Sequence, residues 1–328
     1  MTKHFWHAVY IADKLKKKPV RIMFEGEALV LFRSKEGIGC LKDMCPHRGA
    51  SLSKGRVVDN TVECPYHGWR FDKKGTCKEV PLYDGELPRR FLRNFTAKEH
   101  NGLIFITQDE ESAGNLPEII WDDQPYAQYI MENDAISNLA DVVENVLDPI
   151  HTLFVHKGIV RGSNASKNSV TFTASVENSV LIIRHQGEEK QNGFLSRLLE
   201  PQRSHAINRF ELPGTVSLEY YGKQGLSLCL TAYFSREIDN QYKGSAVFRG
   251  PKQHGLGYLK GLFLIPIMRK VISQDQDIMK DATNNRHLAG NPPYAKSPLD
   301  LFRPMIDRII ETPNELINLP EGQMTLLI

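Results

Sequence analysis

The sequence predicts an α+β chain in two domains, an all-β one first and then an antiparallel sheet with helices segregated at its ends. Three observations carry this. The 328 residues correspond to about two domains of roughly 150 residues each. Up to about Thr107, short β-prone segments alternate with Gly, Asp and Asn turns, whereas later residues mix long β-like runs with helix-like stretches. Between them, Gln108 to Pro117 gathers Asp, Glu, Ser, Gly, Asn and Pro, which places the domains at 1–115 and 116–328.

In the first domain Val20–Phe24, Ala28–Arg33, Thr61–Cys64 and Leu103–Ile106 read as strands. In the second, Asp134 to about Lys157 reads as helix, with Ile136, Leu139, Val143 and Leu147 on one side and Pro149 interrupting it. β-like runs follow at Ser169–His185, Ile207–Tyr221, Leu226–Arg236 and Tyr242–Arg249. A long helix is expected from about Gly255 to His287, kinked or split by Pro266.

Composition narrows the function. Hydrophobic residues at 41% and charged residues at 24% are an ordinary globular balance, and 41 basic against 39 acidic residues give no reason to expect nucleic acid as a partner. The run Lys14, Lys16, Lys17, Lys18 reads as a solvated face. Met1 to Tyr10 lacks the basic and apolar regions of a secretory signal, so the chain is expected to stay in the cytosol. Leu259 to Val271 is broken by Lys260, Pro266, Arg269 and Lys270, short of the ~20 apolar residues that span a bilayer, so no membrane is expected. Five cysteines, Cys40, Cys45, Cys64, Cys77 and Cys229, argue against a disulfide framework and for metal binding or burial.

The strongest motif is Cys45-Pro46-His47-Arg48-Gly49-Ala50, followed by Cys64-Pro65-Tyr66-His67-Gly68-Trp69-Arg70. Each segment supplies one thiolate and one imidazole. Such a set suits a [2Fe–2S] centre in which two thiolates hold one iron and two imidazoles the other. A single tetrahedral zinc ion is the alternative.

With the flanks CPHRGASLSKG and CPYHGWRFD, the segment resembles the Rieske non-haem iron oxygenases, in the form of the short, vanillate O-demethylase-like terminal oxygenase (alpha) components. The resemblance implies a Rieske [2Fe–2S] domain ligated by Cys45, His47, Cys64 and His67, then a helix-grip (START-like) catalytic domain with a mononuclear Fe2+. Within Asp148-Pro149-Ile150-His151-Thr152-Leu153-Phe154-Val155-His156, the pattern Asp-x-x-His-x-x-x-x-His is similar to the iron motif of those oxygenases. On an ideal helix His151 and His156 would stand ~140° apart, so a loosened turn beside Pro149 is needed to bring them together. Iron(II) that activates O2 takes two imidazoles and one carboxylate. Ser273-Gln274-Asp275-Gln276-Asp277 resembles the segment supplying that carboxylate, with Asp275 as the aligned ligand and Asp277 and Asp281 as competitors.

The resemblance assigns Asp148 to a bridge, hydrogen-bonding His151 in its own chain and His67 of the partner subunit in a head-to-tail homotrimer. No Gly-x-Gly-x-x-Gly follows a strand, so electrons from NADH or NADPH are expected through a separate reductase or ferredoxin. The implied reaction is O2-dependent hydroxylation or oxidative demethylation of a small organic molecule of aromatic, N-methyl or terpenoid kind. Two alternatives remain at this point: an electron-transfer protein with a non-catalytic ligand-binding domain, and hydrolytic zinc at His151 and His156. For the substrate wall, Phe154, Phe210, Tyr220, Tyr221 and Phe234 are the aromatic candidates.

Overall fold

The computed structural model describes residues 4–88, 91–121, 124–160, 169–187, 203–252 and 256–327. The chain divides into two compact units, Met1–Ile119 with Phe234–Asp239, and Ile120–Tyr233 with Asn240–Ile328.

Ten strands build the first unit: β1 (His7–Ile11), β2 (Val20–Phe24), β3 (Glu27–Ser34), β4 (Gly37–Lys42), β5 (Arg56–Val58), β6 (Thr61–Glu63), β7 (Arg70–Phe71), β8 (Cys77–Glu79), β9 (Asn94–His100) and β10 (Leu103–Thr107). They form a six-stranded sheet in the order β1-β10-β9-β4-β3-β2 and a four-stranded one, β5-β6-β7-β8. Strand β3 reads as a continuous apolar run because both of its faces are covered. Leu29 and Leu31 join Cys40, Phe95, Ile104 and Ile106 in one core, while Val30 and Phe32 join Leu41, Leu52, Val62 and Phe71 in the other. Two-residue turns with both φ positive, Asp59–Asn60 and Asn101–Gly102, close the β5–β6 and β9–β10 hairpins, as the strand twist requires. One helical turn, α1 (Glu110–Ala113), lies inside the expected linker, and the Asp109 side chain caps it through the Ser112 N–H.

Residues 234–239 also belong to this unit. Ser235 Oγ donates to the Ala8 carbonyl at 2.6 Å, the Glu25 N–H donates to the Arg236 carbonyl at 3.0 Å, and the Arg236 guanidinium pairs with Glu25.

The second unit carries an eight-stranded sheet from β11 (Tyr126–Ile136), β12 (Ser169–Glu177), β13 (Val180–Gln186), β14 (His205–Glu211), β15 (Thr215–Gly222), β16 (Gly225–Ile238), β17 (Gln241–Pro251) and β18 (Leu319–Leu327). Its order is β11-β17-β16-β15-β14-β13-β12-β18. The α+β class expected from the sequence is therefore borne out, with corrections of detail. The β-like runs 169–185 and 207–221 each fold as a hairpin of two strands. Strands β11 and β18 have no counterpart in the sequence reading: β11 interleaves polar and apolar residues irregularly, and β18 contains Pro320 and Gly322.

The helices α2 (Leu139–Leu147), α3 (Leu256–Leu288) and α4 (Arg303–Glu311) complete this unit. The helix expected over 134–157 is much shorter. Asn138 caps α2 by accepting the Asp141 N–H, and Asp148 leaves the helix at ψ 119, as a residue preceding proline must. Helix α3 runs through Pro266 as one helix, so the expected split does not occur; Gly255, its expected start, lies outside the described residues. Against β11, α3 is pinned by Gln276 Nε2 donating to the Asp134 carbonyl at 2.5 Å and Thr283 Oγ1 to the Ile136 carbonyl at 3.2 Å. Gly261 permits this approach, because a Cβ there would stand 1.9 Å from the Tyr129 ring.

Candidate metal centres

The two Cys-Pro segments of the first unit fold identically. In each, the Cys N–H donates to the carbonyl five residues on (Cys45 to Ala50, 2.8 Å; Cys64 to Trp69, 2.8 Å). In each, the Gly four residues on donates back to the Cys carbonyl (Gly49 to Cys45, 2.9 Å; Gly68 to Cys64, 3.0 Å). Both glycines sit at positive φ, +76° and +71°, which an L side chain rarely adopts. The first loop is anchored by buried Asp43, which accepts the Ser53 N–H at 2.7 Å and pairs with Arg21. The second is the turn between β6 and β7, and Arg70 ties it to Glu63 at 2.9 Å and Glu79 at 2.6 Å.

The loops present buried Cys45 and Cys64 beneath outward-facing His47 and His67, whose rings lie 4.6 Å apart. Trp69 stacks on His47 at 4.8 Å. Burial pushes the Cys45 thiol up to about 11 and the Cys64 sulfur adds to this, while the amides of His47 and Arg48 oppose it. A metal is therefore needed to hold this sulfur as thiolate. Burial, with His67 and Arg48 nearby, keeps His47 below its ordinary range and so in the neutral form a metal requires. A tetrahedral zinc ion would draw its donors to within about 4 Å of one another. Among the described residues, no three of these four donors gather within 4.8 Å; the wider spread suits a two-iron cluster. Cys40 and Cys77 are buried and unpaired, and burial raises both thiols.

In the second unit, donor atoms of His151, His156 and Asp275 all lie within 4.8 Å of one another. His151 opens a single 3-10 turn (His151–Leu153) after Pro149. The chain then turns again, with the Val155 N–H donating to the His151 carbonyl at 2.8 Å, which places the two imidazoles 5.3 Å apart at 81°. The convergence thus comes from ending the helix rather than kinking it. Asp275 Oδ1, from α3, is 2.9 Å from His156 Nε2 and 3.6 Å from His151 Nε2. Asp277 is exposed, and Asp281, also exposed, accepts from Asn285.

Among the described residues, His156 Nε2 and Asp275 Oδ1 are buried and have no hydrogen-bond partner outside this group. Lone pairs converging on one point, two from imidazoles and one from a carboxylate, fit a facial iron site with open positions. Gln274, which the sequence reading passed over, accepts from His156 Nδ1 at 3.1 Å and leaves Nε2 for the shared point. Burial alone would lower the His156 pKa, yet the Asp275 carboxylate and Gln274 raise it above its ordinary value.

Asp148 folds back over its own turn, accepting the Ile150 N–H at 2.7 Å and the His151 N–H at 3.2 Å, with Oδ2 3.7 Å from His151 Nδ1. Burial works against ionisation here, but His151 and the two amides outweigh it and hold the carboxyl below its usual range. One turn earlier, Arg303 of α4 donates to Asp141 and Glu144 of α2 and to its own Asp307, each at 2.8 Å. The aromatic candidates do not form one wall. Phe210 and Tyr220 share a face of the sheet, Tyr221 points to the other, Phe154 is exposed and Phe234 belongs to the first unit.

Residues 5–96 match the Rieske [2Fe-2S] domain family. The chain is 34% identical over 168 residues to the oxygenase component of 3-ketosteroid-9-alpha-monooxygenase of Mycobacterium tuberculosis, covering 47% of this chain and 42% of the relative. It is 24% identical over 267 residues to the chloroplastic protein TIC 55 of Arabidopsis thaliana, covering 74% of this chain and 46% of the relative. The chain thus spans about half the length of these curated relatives. The structure of dicamba monooxygenase bound to 3,6-dichlorosalicylic acid superposes with a TM-score of 0.81 over 95% of this chain and 97% of that one, at 19% identity, a likeness of fold. The chain contains a Rieske [2Fe–2S] domain and resembles, in sequence over part of its length and in fold over nearly all of it, the oxygenase components of Rieske-type oxygenases.

Proposed function

We propose that this chain is the terminal oxygenase of a Rieske-type system, a cytosolic enzyme that spends O2 on hydroxylating or oxidatively demethylating a small organic molecule. The observation that carries the reading is the pairing of a Rieske domain with a second, largely enclosed His/His/carboxylate group whose donor atoms lie within 4.8 Å of one another. Two of the relatives are named as the oxygenase component of a 3-ketosteroid-9-alpha-monooxygenase and as a methylxanthine N3-demethylase, which supports the hydroxylation or demethylation reading.

Cys45, His47, Cys64 and His67 would hold the cluster, and His151, His156 and Asp275 the iron(II). Iron(II) held there would supply the activation of O2. The chain's own residues orient and insulate. Gln274 fixes the His156 tautomer, and Asp148 stays ionised beside His151. In the proposed head-to-tail homotrimer that carboxylate also reaches His67 of the partner subunit, giving electrons a hydrogen-bonded route between centres. Hydroxylation of a C–H bond uses one oxygen atom of O2 and releases the other as water, drawing two electrons and two protons. The electrons come from NADH or NADPH through a separate reductase or ferredoxin.

The test is oxygen uptake by the iron-loaded protein with a reductase and NADH, across aromatic, N-methyl and terpenoid compounds. Uptake matched by hydroxylated or demethylated product is expected for at least one class. Absence of coupled product from every class, in protein holding about three irons per chain, would refute the reading.

A further inference from the structure

The sheet face covered by the helices of the second unit carries a polar group that the metal centres do not use. Phe172 of β12 meets Phe302, at the start of α4, with 6.2 Å between rings. Phe172 pairs with His185, and His185 with Ala206. Strand alternation then sets Asn208 on this same face. Helix α4 packs on α2, and α2 on β15, so the turn bearing His151 and His156 follows directly from a helix lying over these strands.

Asn208 begins a row across three strands, pairing with Leu218, which pairs with Leu230. Burial along this part of the sheet is inverted. Leu218, Leu228, Leu230 and Phe248 are only partly buried, although they lie on interior strands. Their strand neighbours on the opposite face, Glu219, Cys229 and Arg249, are sealed, at 1%, 0% and 1% exposure. Contact between Cys229 and Arg249 confirms that these share that opposite face. Apolar side chains that stay partly accessible on interior strands do not close into a packed core. Beside them Asn208 is 3% exposed, and among the described residues nothing hydrogen-bonds its Oδ1. A buried amide oxygen with no donor is costly to folding.

We infer that Asn208 is the polar anchor for the substrate in an otherwise apolar hollow. A carboxamide offers an acceptor and a donor side by side, so its complement is a lactam or similar cis-amide presenting N–H and C=O together on an apolar ring system. The inference rests on the oxygenase reading only in taking this ligand to be the substrate.

Calorimetric titration of the iron-loaded protein with oxindole, N-methyloxindole and indane, bicycles of similar size, tests it. Oxindole should bind wild type at least about tenfold more tightly than the other two, since its N–H donates to the Oδ1 that would otherwise stay unpaired while its C=O accepts from the Nδ2 of the same amide. In Asn208→Leu that preference disappears, indane gains affinity, and the melting temperature does not fall. Equal or absent binding in wild type, a preference surviving in the variant, or a lowered melting temperature pointing to a structural role would each overturn the inference. Should Asn208→Leu lose its cluster absorbance, Asn208→Thr carries the same expectation. Titration needs no turnover. An Asn208-dependent preference without oxygen uptake on any compound would sink the oxygenase reading and leave Asn208 as the anchor. Coupled uptake on amide-free compounds that bind as tightly as oxindole would do the reverse.

Discussion

Replacing Arg303 with methionine keeps most of the side chain's volume and removes its charge. In the structure one guanidinium serves three carboxylates, Asp141, Glu144 and Asp307, each at 2.8 Å, from a side chain only 20% exposed. The arrangement drives the Arg303 pKa up despite its burial, while burial raises Glu144 in spite of the cation beside it. Charged hydrogen bonds contribute about 1.5–3 kcal/mol each when intact. They are not additive, and the freed carboxylates can recruit water, so the expected loss is about 2–3 kcal/mol. At roughly 2–4 °C per kcal/mol for a unit of this size, the melting temperature falls by about 5–10 °C. The pH dependence separates charge from packing. Without the cation, nothing offsets the burial that already holds the Glu144 carboxyl above its ordinary value, so its charge destabilises the fold at neutral pH and the cost is relieved as pH falls through that raised value. The deficit should therefore shrink between pH 7 and pH 5. A loss below about 0.5 kcal/mol, within the range of ordinary surface substitutions, or a deficit equal at both pH values, would refute the electrostatic account.

Other perturbations separate the two centres. Asp275→Asn should lower iron from about three to about two per chain, the cluster's own complement, with the visible spectrum unchanged; an unaltered iron content would remove Asp275 from the site. Gln274→Leu frees the ring of His156 and should weaken iron(II) about 10–100-fold, read by competition with a chelator at constant pH. Asp148→Asn keeps an oxygen for the Ile150 N–H at 2.7 Å, so the turn and the cluster absorbance should survive while turnover collapses. Near-normal activity would show that no carboxylate bridge is needed.

The cluster motif is legible because its four candidate ligands sit within one short span and because the loop geometry is local: proline fixes one φ and glycine supplies the other. Asp275 was harder to read. Three acids share its helix, and only α3 pinned along β11 decides that Asp275, and not Asp277, faces the imidazoles. The same long-range packing hid Gln274, whose role exists only once His156 lies beside it. His151 and His156 do converge, on a backbone that periodicity does not give: Pro149 ends the helix, as Pro commonly does, and the two turns that follow have no periodicity to read. Strands β11 and β18 were missed because tertiary pairing, not alternation, makes them strands.

The inclusion of residues 234–239 in the first unit bears on how this protein is made. Synthesis delivers residues 1–119 first, yet Ser235 and Arg236, which bond Ala8 and Glu25, emerge only after most of the second sheet. The first unit cannot reach its final form while its own sequence alone has left the ribosome. A fragment ending near residue 119 would lack those bonds whatever its length of incubation. Genetic separation of the two halves, or insertion of one into another protein, must therefore carry the tip of the β16–β17 hairpin along with the N-terminal segment.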